Sequence, residues 1–200
     1  MSDWLSYSLH DLLIFSPEAY AGLFESYNKA LWPYQVPLVM ASLVLLVGLR
    51  LKPAAFGKIT LVSLALAWLF VGLWFIEGYY SQLNPMAESF IYFFVIQAVF
   101  LFWASINTNQ QVFSDYDNFD KKPIYHLGWV VLIYAYFLHP LLLFQTGRQF
   151  NGLEFLFVAP DATAIATLGF LLVIRPKAYA LLMVMPLLWL LLSLLTYMAF

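Results

Sequence analysis

Two carboxylates, Glu77 and Glu88, flank the short polar link Ser81-Gln82-Leu83 that joins two apolar stretches, 59–80 and 84–103. An ionised group inside hydrocarbon costs several kcal/mol, so each must lie at a membrane interface, face protein or carry a proton. A third carboxylate, Asp161, opens another apolar stretch, 162–174, beside Thr163. At a helix start the free amides and the helix dipole favour an anion, and we read Asp161 as the N-cap. His139 stands near the end of the apolar stretch 124–143. The chemistry open to such groups is the binding of a small solute or ion, or coordination of a metal by His139, Glu77, Glu88 and Asp161. The expectation is no catalytic residue, no cofactor and no metal. His10, His126 and His139 do not have the spacing of a ligand motif, and no phosphate loop, nucleophile elbow or haem attachment motif occurs.

The elements that hold these groups follow from composition. At 64% hydrophobic, 20% aromatic and only 10% charged residues, the chain is far from a soluble domain and is expected to lie in a lipid bilayer. A net charge of -2 gives no reason to expect a nucleic-acid partner. The absence of cysteine excludes disulfides and thiolate chemistry. No cleavable signal peptide is expected, because the first fifteen residues have neither a basic start nor a small-residue cleavage site.

The spacing predicts an all-α membrane protein of six transmembrane helices, preceded by an N-terminal amphipathic helix in the membrane interface. We divide it into an interfacial segment, 1–31, and a six-helix domain, 32–200. Ser16-Pro17-Glu18 supplies an N-cap, a proline at the first helical position and an acid in the first turn. After it Tyr20, Leu23, Phe24, Tyr27 and Leu31 recur every three or four residues, with Glu18, Glu25, Asn28 and Lys29 on other faces. Trp32-Pro33-Tyr34 marks the headgroup level, and the first span is 33–51. Spans 59–80 and 84–103 form a hairpin, Asn84-Pro85 being a helix start; each is about 30 Å long. The polar loop 107–122 leads to the fourth span, 124–143, which Pro140 should kink.

The fifth span is broken near Pro160-Asp161. A helix over 162–174 is about 20 Å long, too short to cross alone. Either 153–158 completes it, or that stretch is a re-entrant piece buried against protein, since unpaired backbone cannot face lipid. The sixth span is 179–200. Arg50, Lys52, Lys58, Lys121, Lys122, Arg175 and Lys177 fall on one side, against Lys29 and Arg148 on the other. The richer side should be cytoplasmic, which puts both termini outside the cell membrane.

In that topology Asn28, Trp32, Gln35, Glu77, Asn84, Glu88, His139, Gln145, Asp161 and Thr163 all fall at the outer helix ends, an arrangement that would make an outward-facing polar pocket. Helix ends are also polar simply because they meet headgroups and water. Gln97, midway along the third span, needs a hydrogen-bond partner on another helix, for packing or for function. Thr163 and Thr167 share one face of their helix, and Gly169, on another, admits a close helix crossing.

Several pieces together resemble a family of small bacterial integral membrane proteins that carries only a domain-of-unknown-function label, number 6064. They are Phe15-Ser16-Pro17, Leu23-Phe24-Glu25-Ser26-Tyr27-Asn28, Leu31-Trp32-Pro33, Asn84-Pro85, Ala159-Pro160-Asp161-Ala162-Thr163 and Thr167-Leu168-Gly169. Where a proline would follow Asp161 in the family pattern, this chain has Ala162. The resemblance implies a multi-span helical protein of the bacterial inner membrane and no established activity. Two functions are expected from the sequence. One is an accessory or assembly subunit, partnered by other membrane subunits or by itself within the bilayer. The other is a small-solute or ion transporter using the outer pocket.

Overall fold

A computed structural model describes residues 15–84, 86–109, 112–113 and 121–199. Among these residues all regular secondary structure is helical, and no strand is present. Residues 1–14, with His10, most of the polar loop 107–122, Pro85 and Phe200 lie outside the described residues.

Helix α1, Pro17–Leu31, starts as its sequence requires: Ser16 Oγ accepts the amide of Ala19 at 3.2 Å, and Pro17 takes the first helical position. Its buried side carries Tyr20, Leu23, Phe24, Tyr27 and Leu31, the five residues whose spacing marked an apolar stripe. That stripe faces protein, with Phe24 stacked on Phe75 at 4.9 Å and Tyr27 edge-on to it at 5.1 Å. Asn28, which the periodicity places on a polar face, is buried as well. Helix α2, Gln35–Leu51, follows at 92° to α1.

The hairpin is longer than its sequence suggests. Helix α3 spans Pro53–Leu83, beginning six residues before Ile59 because Pro53 serves as a first-turn residue and only Lys52 separates it from α2. Within α3 the stretch Val71–Tyr80 winds as a π-helix, with Phe75 and Tyr80 buried. Asn84 Oδ1 accepts the amide of Met86 at 3.0 Å before helix α4, Ala87–Asn107. Helix α5, Pro123–Gln145, also widens to a π-helix at Tyr134–Leu138, immediately before His139 and Pro140.

Helix α6, Pro160–Ile174, is the pillar of the fold. It contacts α3, α5 and α7, Tyr179–Ala199, and every residue in it but Ile165 and Leu168 is buried. A helix apolar on all sides belongs inside, and its 15 residues need not span by themselves because other helices surround them. Gly128 of α5 and Gly169 of α6 meet at the crossing: a Cβ on Gly128 would lie 3.0 Å from the Gly169 carbonyl oxygen, and one on Gly169 3.1 Å from that of Gly128. Only two glycines let these backbones approach so closely.

The structure bears on three expectations. Four helices, α3, α4, α5 and α7, are long and apolar enough to cross a membrane, and a fifth only if the bent pair α1 and α2 is one span, so length and composition alone do not give six. The residues 153–158 are non-helical and almost wholly buried, and so do not extend α6 as a helix. Asp161 is not the cap: Ala159 occupies that position without a side-chain bond, and the Asp161 carboxylate turns to α7 instead.

Candidate functional site

The connection from α5 to α6, residues 146–159, has almost no regular structure beyond one short turn, Phe150–Gly152. Its backbone is held by side chains of neighbouring helices. Asn28 Nδ2 donates to the carbonyls of Asn151 at 2.6 Å and Leu153 at 2.9 Å, and Tyr27 Oη donates to that of Val158 at 2.8 Å. Phe157, at φ 70° in the left-handed region, donates its amide to Thr163 Oγ1 at 3.1 Å. Hydrocarbon offers no such partners, so irregular backbone persists only where protein supplies them.

Inside this connection lies a buried ion pair. Arg148 Nη1 donates to Glu154 Oε1 at 2.8 Å, and Glu154 is 0% exposed. Arg148 also donates through Nη2 to Tyr197 Oη at 3.0 Å, and its guanidinium lies over Phe24 at 5.2 Å and Tyr20 at 5.9 Å. On the other side His139 Nε2 stands 3.5 Å from Glu154 Oε2. His139 and Arg148 thus flank the enclosed Glu154 carboxylate on two sides. Within the ion pair of Arg148 and Glu154 the two charges cancel.

Asp161 forms a second polar centre. Trp189 Nε1 donates to Oδ1 at 2.7 Å and Ser193 Oγ donates to Oδ2. Both donors come from α7, which this carboxylate fastens to the pillar. Glu154 and His139 lie within its electrostatic reach. Trp189 and Ser193 in turn form part of the wall of a half-open cavity of about 240 Å³, shared with Tyr20, Tyr80, Asn84, Phe90 and Thr196. Asp161 sits one side chain behind that wall.

The structure sorts the expected pocket residues into three groups. His139 and Asp161 join the buried network, and Asn84 lines the cavity. Asn28 and Thr163 are buried but serve the connection, holding its backbone as described. Trp32, Glu77 and Glu88 are exposed and contribute to none of this, Trp32 at 60%. Gln97 donates to the carbonyl of Leu182 at 2.9 Å, joining α4 to α7. Among the described residues no three His, Asp or Glu side chains form a group that could hold a metal ion, and Glu77 and Glu88 are too exposed to join His139 and Asp161.

Arg148, Glu154, Trp189, Ser193 and Tyr197 were not singled out by the sequence. One signal was present: Glu154 is a lone acid in the otherwise apolar run Leu153-Glu154-Phe155-Leu156-Phe157-Val158, six residues from the lone basic residue Arg148. An ionisable residue in such a run calls for a named partner.

A family model described as "Family of unknown function (DUF6064)" matches residues 17–200, and the chain belongs to that family. No curated protein and no solved structure matches it.

Proposed function

We propose that this member of the DUF6064 family is a multi-pass protein of the bacterial inner membrane that takes a small solute or ion from the outer side into the cavity backed by Asp161. In this reading α2 to α7 are six spans, 153–158 is a re-entrant piece, and α1 lies across the outer surface. Lysine and arginine placement supports that orientation. Arg148 is spent on Glu154, which leaves Lys29 as the remaining basic residue expected outside, against seven expected inside.

The observation that carries the reading is the juxtaposition of the cavity with a buried carboxylate bound by two of its wall residues, Trp189 and Ser193. Buried ionisable groups in a membrane protein mark solute or ion paths by default. Reconstituted vesicles test it, with isotopic potassium, methylammonium, glycine and acetate offered outside. Flux of at least one above empty vesicles, lost in Thr196→Leu, which fills the cavity, is the expected result. Flux of none overturns the transport reading.

A second reading, an accessory or assembly subunit, is favoured by the enclosure of α6. A pillar buried on nearly every side and cross-linked to its neighbours has little freedom to rock between two states, as carriers with broken helices do. Native co-purification that recovers a membrane partner in fixed ratio would support it, and a lone 23.0 kDa species would reject it.

A further inference from the structure

We infer that the cavity beside Asp161 binds an ammonium group; the inference rests on the solute-binding reading above and names the class of ligand. Aromatic rings from four points of the chain make much of its wall. Tyr20 and Tyr80 meet edge-on at 6.2 Å, Tyr80 and Trp189 at 6.5 Å, and Phe90 and Trp189 at 6.0 Å, each pair between 73° and 83°. Rings set at such angles form the sides of a box, and π-faces around a box attract a cation, a quaternary ammonium above all.

Two hydroxyls of the wall, those of Ser193 and Thr196, have the matching polarity. Ser193 Oγ gives its hydrogen to Asp161, and Thr196 Oγ1 gives its own to the carbonyl of Leu192 at 3.0 Å. Each hydroxyl is left with lone pairs and no hydrogen to offer, so both accept from a ligand and neither can serve an anion. Among the described residues no lysine or arginine lines the cavity. Arg148 does approach the Tyr20 ring, but its charge is cancelled by Glu154 at 2.8 Å. Among the described residues Asp161 is the carboxylate bonded directly to the cavity wall, through Trp189 and Ser193, and its charge favours a cation there.

Size limits the ligand. A cavity of about 240 Å³ has room for about eight waters at roughly 30 Å³ each, which suits a methylated ammonium or a short primary amine. The same group could arrive as a free amine from the outer water or as the ethanolamine headgroup of a lipid.

Calorimetric titration of the full chain in detergent separates these outcomes, with tetramethylammonium chloride, its neutral near-isostere tert-butanol, and sodium acetate as probes. Tetramethylammonium should bind at least tenfold more tightly than either of the others, and Asp161→Asn should weaken it at least tenfold. Thr196→Leu should abolish it. Because Asp161→Asn removes an acceptor from α7 and could unfold the chain, the comparison of the three probes on unaltered protein stands as the independent measurement. Equal or tighter binding of tert-butanol or acetate, blocked by Thr196→Leu, overturns the ammonium assignment and leaves the solute cavity standing. Failure of all three probes to bind overturns the ammonium assignment, while the vesicle flux decides the broader reading separately. Native mass spectrometry from nanodiscs of equal phosphatidylethanolamine and phosphatidylglycerol distinguishes the sources. Retained phosphatidylethanolamine, lost in Thr196→Leu, identifies the headgroup; tetramethylammonium binding without such retention identifies a free amine.

Discussion

Arg148 and Glu154, six residues apart in the connection between α5 and α6, share a 2.8 Å hydrogen bond that no periodicity announces, and Glu154 is wholly enclosed. Removing one partner strands the other charge. Arg148→Met or Glu154→Leu alone should cost about 3–5 kcal/mol, whereas the double substitution should recover much of the loss, because the stranded charge goes with its partner. Denaturant unfolding in detergent reads this, and two single losses that simply add would refute the coupling.

The α5–α6 crossing admits no side chain between its backbones. Gly128→Ala places a methyl 3.0 Å from the Gly169 carbonyl oxygen and 2.8 Å from Val173 Cγ2, and should destabilise by about 1–3 kcal/mol. Gly22→Ala in α1, where a Cβ meets nothing within 4 Å, should be neutral or stabilising by about 0.5–1 kcal/mol. Thermal melts of the two variants moving in the same direction would contradict the crossing.

Asn28 holds two backbone carbonyls of the connection. Asn28→Ala leaves both without that donor, which should cost about 1–3 kcal/mol per carbonyl so stranded. Limited proteolysis should then cut within 150–158 faster than in the unaltered protein; an unchanged cutting rate would mean that Tyr27 and Thr163 suffice.

Because the sequence contains no cysteine, single-cysteine labelling can be read without background. Ala55→Cys and Ser81→Cys lie at opposite ends of α3 and should react from opposite faces of inverted and right-side-out vesicles. Both reacting from one face would overturn the six-span arrangement and its orientation.

The helices themselves were legible because each depends on neighbours in sequence. Ser16 caps an amide three residues on, and the stripe from Tyr20 to Leu31 repeats with the turn of the helix. The break before α6 was visible in Ala159-Pro160-Asp161 for the same reason. Three details were misread where a side chain had a choice of partners. Asn28 fell on the polar side of a pattern but found carbonyls 123 and 125 residues away, and Asp161 abandoned the cap for Trp189 and Ser193, 28 and 32 residues on. Glu154 was passed over within an apolar run, and one of its neighbours, Tyr197, comes from the last helix.

What the sequence determined by itself was therefore the material: an apolar, helix-forming chain, its local starts and stops, and the family to which it belongs. Tertiary structure alone decided that the α1 stripe meets protein, that α6 is enclosed, and that the Asp161 carboxylate stands behind one aromatic-walled cavity. The physical reason is that hydrophobic periodicity reports how much of a helix is apolar and on which side, whereas a buried charge is stabilised only by a specific partner at about 3 Å. No local pattern encodes that partner's position in the chain.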